Sequence, residues 1–152
     1  MAEKITSEYR HSILINAPAA DILNYVSNPN SWPEWISSSH HINSPERPLE
    51  AGDTFVEQWH TRTGPAQLDW KVTKREHPNV WCCETSTSFT GPILITYLLE
   101  EQQGGGCLFT RLVENPDRPK AVSPKADKAM HDEAEISIAN IKRNVEAQVA
   151  QK

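Results

Sequence analysis

The C-terminal stretch from Ser123 to Ala150 constrains the fold most, because no residue in it interrupts a helix. Ser123 is a good N-cap, Pro124 suits the first helical position, and Asp127 adds a favourable negative charge to the first turn. Apolar side chains recur at spacings of four and three, which places them in one stripe along a helix of about 40 Å. They are Ala126, Met130, Ala134, Ile138, Ile141, Val145 and Val149. A stripe of this length needs an apolar partner that is comparably long.

The middle of the chain supplies that partner as a series of antiparallel strands. From Ala66 to Thr73, apolar residues at even positions alternate with polar residues at odd positions, which is typical of a sheet with one buried and one solvated face. In the preceding strand, Phe55, Glu57 and Trp59 share one face. Turns that contain glycine or proline separate these strands from each other and from three more. The turns are Gly64-Pro65, His77-Pro78-Asn79, Gly91-Pro92 and Gly104-Gly105-Gly106.

Two short helices are predicted between the first strand and this meander. The first strand runs from Glu8 to Ile15, and Pro18 then suits the first turn of a helix from about Ala19 to Val26. A second short helix is predicted from about Asn30 to Ile36. The segment from Asn115 to Pro119 is predicted to be the loop that leads to the C-terminal helix.

The sequence therefore predicts an α+β fold, in which a curved antiparallel sheet of six to seven strands wraps around the long C-terminal helix. We expect residues 1–152 to form a single domain, because the length suits one domain of ordinary size. Since a curved sheet need not touch the helix everywhere, a cavity between the two is the expected ligand site.

Four segments of the chain carry a family resemblance. They are Ile15–Ile22, Asn28–Trp35, Gly52–Phe55 and Trp70–Thr73. In this order they resemble recurrent segments of the Bet v 1-like/START (SRPBCC) superfamily, and this resemblance runs from about Ile5 to Ala150. The pattern is close to that of the bacterial polyketide cyclase/dehydrase-like proteins of the superfamily. The resemblance implies a helix-grip fold with a cavity for a hydrophobic ligand. It implies little about chemistry, since the fold hosts carriers, lipid-transport proteins, cyclases, aromatases and chaperone cofactors.

Composition and charge argue against several classes of partner. The chain has 152 residues and a formal net charge of -5, and no run of basic residues is longer than two, which argues against nucleic acids and anionic membranes. The first residues lack the apolar stretch of a signal peptide, and no segment approaches the roughly 20 apolar residues that span a bilayer. Cys82, Cys83 and Cys107 do not suggest a disulfide framework. We therefore expect a cytoplasmic protein that does not insert into membranes.

The sequence predicts neither a metal site nor another cofactor. No two of the six histidines have a spacing typical of metal ligands. His131 and Glu135 lie one helical turn apart, which is more typical of a solvated helix contact. The glycine triplet from Gly104 to Gly106 is best interpreted as a hairpin loop.

Ligand-binding candidates are the residues that project from the predicted inner face of the sheet or from the helix stripe. They are Phe55, Glu57, Trp59, Leu68, Trp70, Tyr97 and Met130. Trp59 and Trp70 either line a pocket or simply fill it. Trp35 is expected to pack the second helix onto the core, and Trp32 is expected to be peripheral. No set of serine, histidine and aspartate typical of nucleophilic catalysis is recognisable, so catalytic residues stay unassigned.

Glu57 breaks the pattern of its strand, because it shares a face with two large apolar side chains. A buried lone carboxylate is costly unless it has a partner, and positions that break a local rule are where function tends to lie. A structural role is the alternative. An edge or bulged strand would turn Glu57 outward, and an ion pair with Arg62 or Arg111 would compensate its charge.

For the strand predicted from Val80 to Phe89, the sequence allows two choices of the residues that face the core. Either Val80 and the other even positions face the core, or Trp81 and the other odd positions do, since a shift of one residue exchanges the two faces. Glu84 would be buried in the first arrangement and exposed in the second.

Two functions fit this sequence. The first is the binding of a small hydrophobic ligand, lipid-, aromatic- or polyketide-like, in the cavity between sheet and helix. The second is a cyclase, aromatase or dehydratase that uses polar cavity residues as acid and base. A protein-binding module similar to a chaperone cofactor shares the fold and is a third class, and a homodimer is compatible with the sequence. A lone inner-face carboxylate without an evident second base favours binding.

Overall fold

The computed structural model describes residues 4–36, 41–61 and 64–151. The strands in these ranges are β1 (Ile5–Ile15), β2 (His41–Asn43), β3 (Thr54–Thr61), β4 (Gly64–Glu76), β5 (Val80–Thr87), β6 (Gly91–Glu101) and β7 (Cys107–Arg118). The helices in the same ranges are α1 (Ala19–Val26), α2 (Trp32–Trp35) and α3 (Pro124–Ala150), and a 3-10 turn at Pro29–Ser31 directly precedes α2.

The seven described strands form one antiparallel sheet in the order β1-β7-β6-β5-β4-β3-β2. The chain runs as a meander from β2 to β7, and β1 then pairs with β7, with Ile13 opposite Phe109. The sheet is curved and open, and α3 packs against its inner face. The predicted α+β helix-grip architecture, with a curved sheet, two short helices after the first strand and a long C-terminal helix, is confirmed.

α3 begins where the sequence predicts. The hydroxyl of Ser123 accepts a hydrogen bond from the backbone N–H of Ala126 at 3.1 Å, and Pro124 is the first helical residue. The buried residues of the helix are Ala134, Ser137, Ile138, Ile141 and Val145. The predicted stripe is wrong in its first two members, since Ala126 is exposed and Met130 is 38% exposed. The first turns of the helix lie outside the apolar cluster, which Ile138, Ile141 and Val145 join.

None of the described helices is both long and apolar enough to cross a membrane.

One hydroxyl group, that of Tyr25, connects α1 and α2 to α3. Tyr25 donates a hydrogen bond from its hydroxyl to Glu34 at 2.8 Å and accepts one from the side-chain amide of Asn144 at 3.0 Å. Burial, together with the hydrogen bond to Glu34, raises the pKa of Tyr25. The neutral phenol therefore serves as a fixed link between the three helices.

β7 is longer than predicted. The residues Asn115–Arg118, expected in a loop, continue the strand and pair with Ile5 and Ser7 of β1. The register shifts between these two pairs, and Pro116 lies within the shift. Since proline lacks an N–H and is tolerated at a bulge, the sequence motif that predicts a loop fits this irregular strand.

β5 turns its odd-numbered residues to the core. Trp81, Cys83 and Thr85 are 0%, 1% and 5% exposed, whereas Glu84 is exposed. The second of the two predicted registers is therefore the one observed. It buries the large indole of Trp81, whose N–H donates a hydrogen bond to the backbone carbonyl of Leu49 at 3.0 Å.

Two polar contacts fasten α3 to the edge strand β1. Nε2 of His11 lies 3.0 Å from Nδ1 of His131, and the hydroxyl of Tyr9 donates a hydrogen bond to Asp127 at 3.0 Å. A hydrogen bond between two imidazoles needs one ring nitrogen that carries no proton. The contact therefore requires at least one of the two histidines to be neutral.

Burial holds the pKa of His11 below its ordinary value, and His131 and Arg111 act in the same direction, while Glu135 partly offsets them. The unfolded chain therefore takes up this proton at a higher pH than the folded chain, and stability falls as the pH drops below about 6.5. We expect the Tm to decrease between about pH 7.5 and about pH 5.5 by roughly 1–3 °C more in the wild type than in His11→Gln.

Thermal unfolding followed by circular dichroism at the two pH values measures this difference. His41→Gln, which removes an exposed histidine of β2, is the matched control and should follow the wild type. An identical pH dependence of Tm in the wild type and in His11→Gln would contradict the expectation.

Candidate functional site

A cavity of about 220 Å³ lies between the inner face of the sheet, α2 and the first half of α3. Most of its wall is apolar. The apolar wall includes Trp32, Trp59, Trp70, Ile95, Val113 and Ala134. The polar residues of the wall are Tyr9, Glu57, Arg111, Glu133 and Ser137. An apolar cavity with a few polar groups is the usual form of a small-molecule site.

The residues that the sequence nominates for ligand binding fall into two layers. Those in the cavity wall are Glu57, Trp59, Trp70 and Met130. Those buried outside the wall are Phe55, Leu68 and Tyr97. The second layer supports the first, since the ring of Phe55 stacks on that of Trp70 with centroids 6.1 Å apart and Leu68 lies opposite Glu57 in the strand pairing.

Glu57 is buried in this wall, at 2% exposure. Its carboxylate accepts a hydrogen bond from the indole N–H of Trp70 at 3.1 Å. The alternative in which an edge or bulge turns it outward is wrong, because β2 covers β3 and the pairing of β3 with β4 is regular from Thr54 to Thr61. It forms no ion pair with Arg111, and Arg62 lies outside the described residues.

The tryptophans differ in how their indole N–H groups are satisfied. The N–H groups of four of them donate hydrogen bonds at 3.0 to 3.2 Å, and these are Trp32, Trp35, Trp70 and Trp81. The fifth, Nε1 of Trp59, is buried and has no hydrogen-bond partner among the described residues. Since a buried unpaired donor is costly, this cavity residue is suited to donate to an acceptor on a ligand.

Trp32 also lines the cavity, so its expected peripheral position is wrong. It is 1% exposed, and its ring packs edge-on against Phe55 and Trp70, with centroids 5.1 and 6.0 Å apart. Its N–H donates to the backbone carbonyl of Val26 at 3.0 Å. The short helix α2 therefore contributes to the same aromatic cluster as the sheet.

Arg111 of β7 is a cavity residue that the reading of the sequence did not nominate. Its guanidinium carbon lies 5.5 Å from the ring centroid of Trp35. Its Nε is buried and has no hydrogen-bond partner in the described part of the chain. The sequence pattern that singles out Glu57 could also have identified Arg111, because Arg111 shares a strand face with the apolar Phe109 and Val113.

Two buried groups next to Arg111 keep their protons. Burial raises the pKa of Tyr97 and raises that of Cys83 well above its ordinary value. The Tyr97 hydroxyl has no hydrogen bond of ordinary geometry with the described residues, although the nearby Arg111 acts to lower its pKa. The neutral thiol of Cys83 is not suited to act as a nucleophile.

The described residues contain no group of three or more His, Cys, Asp or Glu side chains that could hold a metal ion. The side chains of the cavity wall carry polar groups of several kinds. These offer a carboxylate at Glu57, a guanidinium at Arg111 and an unpaired indole N–H at Trp59.

The chain matches a family model over residues 6–146. That family is described as polyketide cyclase / dehydrase and lipid transport. No curated protein is similar enough in sequence to match the chain.

Solved structures share the fold at low sequence identity. Ara h 8.0201 is 11% identical, with a TM-score of 0.67 over 92% of this chain and 97% of that chain. The di-domain ARO/CYC protein StfQ of the steffimycin biosynthetic pathway is 11% identical, with a TM-score of 0.72 over 96% of this chain and 52% of that chain. The Aha1 dimer from Colwellia psychrerythraea is 15% identical, with a TM-score of 0.66 over 92% of this chain and 96% of that chain. These likenesses show a Bet v 1-like helix-grip fold.

The hydrogen bond between Trp70 and Glu57 should be measurable as a coupling. We expect Trp70→Phe to lower the free energy of unfolding by about 1–3 kcal/mol, because the buried carboxylate loses its indole donor. In a Glu57→Leu background the same substitution should cost about 1 kcal/mol less, because no carboxylate is left unpaired. Urea unfolding of the two single variants and the double variant measures both costs.

Trp32→Phe is the matched control for this cycle. It removes an indole N–H that bonds to the backbone of Val26 and not to Glu57, so its cost should be the same in both backgrounds. If Trp70→Phe were equally costly with and without Glu57, the hydrogen bond would make no contribution to stability.

Proposed function

Since the chain belongs to the polyketide cyclase/dehydrase and lipid transport family, we propose that it binds a small hydrophobic ligand in the cavity between the sheet and α3. The observation that carries this proposal is the state of Trp59. Trp59 lines an aromatic cavity, and its indole N–H is buried without a partner among the described residues. A bound acceptor would satisfy this donor while the surrounding rings enclose the apolar part of the ligand.

The size of the cavity favours a compact aromatic ligand. An apolar cavity of roughly 150 Å³ holds one benzene molecule, so a cavity of about 220 Å³ suits a molecule of one or two rings. The flat walls formed by Trp32, Trp59 and Trp70 are complementary to ring faces and edges. A long-chain lipid or a polyketide of many rings would need more room.

Catalysis on such a ligand is the second candidate function, and Glu57 is the observation that favours it. Its carboxylate lies in an apolar wall, where a base can remove a proton from carbon without competition from water. The neighbour StfQ is named as an ARO/CYC protein. In a cyclase or dehydratase, proton abstraction next to a carbonyl group would be the step that Glu57 performs.

We propose a cytoplasmic location for this function. The free cysteines Cys82, Cys83 and Cys107 support a reducing, cytoplasmic location.

We also propose that this chain can form a homodimer, since the Aha1 neighbour is a dimer. Size-exclusion chromatography with light scattering measures that directly.

Filling the cavity should abolish binding. We expect Ala134→Phe to weaken the binding of 2-naphthylmethanol, a neutral two-ring probe, by at least about tenfold, because the phenyl ring would occupy the space of the ligand. Isothermal titration calorimetry measures the affinity, and the melting temperature verifies that the variant is folded.

Ile136→Phe is the matched control for Ala134→Phe. Ile136 lies two residues further along α3 and is 55% exposed, whereas Ala134 is 6% exposed and lines the cavity. The control should bind the probe like the wild type. Unchanged affinity in Ala134→Phe would place the ligand elsewhere, and no binding by the wild type would contradict the proposed function.

Proton exchange tests the catalytic candidate. If Glu57 acts as a base, the wild type should accelerate hydrogen–deuterium exchange next to the carbonyl group of 2-tetralone, followed by NMR. Glu57→Gln should then lose about a hundredfold of this acceleration while it still binds 2-naphthylmethanol, because glutamine keeps the shape but cannot take the proton. Exchange no faster than in buffer would leave binding as the function of the cavity.

A further inference from the structure

Arg111 brings a positive charge to the cavity wall without a negative partner. No carboxylate of the described residues forms an ion pair with it. Two carboxylates, those of Glu57 and Glu133, line the same cavity, and neither is close enough to Arg111 to form an ion pair. Its Nε is buried without a hydrogen-bond partner among the described residues, and an unpaired buried donor is costly, so an anion that accepts from it would be bound favourably here.

The guanidinium of Arg111 lies against the ring of Trp35, and its Nε has no hydrogen-bond partner among the described residues. The group lies 5.5 Å from the ring centroid of Trp35, and this attraction does not use its N–H groups as hydrogen-bond donors. Nε is buried and unpaired, as far as the described residues show. The edge formed by Nε and a terminal nitrogen is the one that matches the two oxygens of a carboxylate.

The two residues that lie opposite Arg111 on the neighbouring strands are not carboxylates. Arg111 lies opposite His11 on β1 and opposite Tyr97 on β6. The Tyr97 hydroxyl is buried and has no hydrogen-bond partner among the described residues. His11 is held neutral near pH 7, because burial lowers its pKa. Of Arg111, His11 and Tyr97, only Arg111 therefore carries a positive charge near pH 7.

We propose that Arg111 binds the carboxylate of an aromatic acid of one or two rings, so that the cavity selects an anionic ligand over its neutral counterpart. This inference rests on the proposed function, since it assigns the chemical class of the ligand in that same cavity. The aromatic wall encloses the rings, and the Nε edge of Arg111 receives the two carboxylate oxygens.

Two probes of the same size separate charge from shape. 2-Naphthoate carries a carboxylate, and 2-naphthylmethanol carries a neutral hydroxyl on the same rings. At pH 7.5 we expect the wild type to bind 2-naphthoate at least about tenfold more tightly, because hydrogen bonds to a charged group are stronger than those to a neutral one. Arg111→Met should remove this preference and leave the affinity for 2-naphthylmethanol within about threefold.

Arg10→Met is the matched control, because it deletes the same charge from an exposed position on the neighbouring strand β1. It should retain the preference for 2-naphthoate, and Arg111→Lys should retain part of it. Calorimetric titration gives all the affinities, and 2-naphthylmethanol binding shows that each variant is folded.

The wild-type comparison is decisive even if Arg111→Met does not fold. Equal affinity of the wild type for the two probes would overturn the role of Arg111 and leave the proposed function standing. A preference that survives in Arg111→Met would overturn it as well. Binding of neither probe by the wild type would overturn both the role of Arg111 and the proposed function.

Discussion

Burial of one side of α3 against the inner face of the sheet is the contact on which the other features depend. Ile138, Ile141 and Val145 join the same buried cluster as the inward residues of the strands. Neither element can bury its apolar side alone, since the helix has one stripe and the sheet has one apolar face. The contact also fixes where the sheet and the helix part, and the cavity lies at that point, beside Met130 and Ala134.

The cavity combines a well-packed aromatic wall with polar groups that the protein satisfies incompletely. Trp70 gives its N–H to Glu57, whereas Trp59 and Arg111 keep buried donors without partners in the described part of the chain. Native interiors rarely leave such groups unpaired. Among the described residues, two of the five such atoms belong to the cavity wall, on Trp59 and Arg111, and the others belong to Ser27, Arg75 and Tyr97. The pair in the wall is the physical basis for proposing ligand binding there.

The sequence predicts the elements better than their contacts. The start of α3 follows from Ser123 and Pro124, because capping is a local property of the chain. The inward position of Glu57 follows equally from the period of two along β3. Whether α3 meets the sheet near Met130 depends on sheet curvature, which no local pattern encodes. The same is true of Trp32, whose burial depends on how α2 packs against the sheet and not on its own helix.

Trp59, whose indole N–H has no hydrogen-bond partner among the described residues, affects how the sequence of this protein can diverge. Replacement of Trp32, Trp35, Trp70 or Trp81 by phenylalanine sacrifices an internal hydrogen bond as well as packing. At Trp59 the same replacement breaks no hydrogen bond within the described residues. The position can therefore vary at comparatively low structural cost while it alters which atoms of a guest molecule are recognised. Divergence of ligand preference among relatives that keep this architecture is expected to begin at the residue equivalent to Trp59.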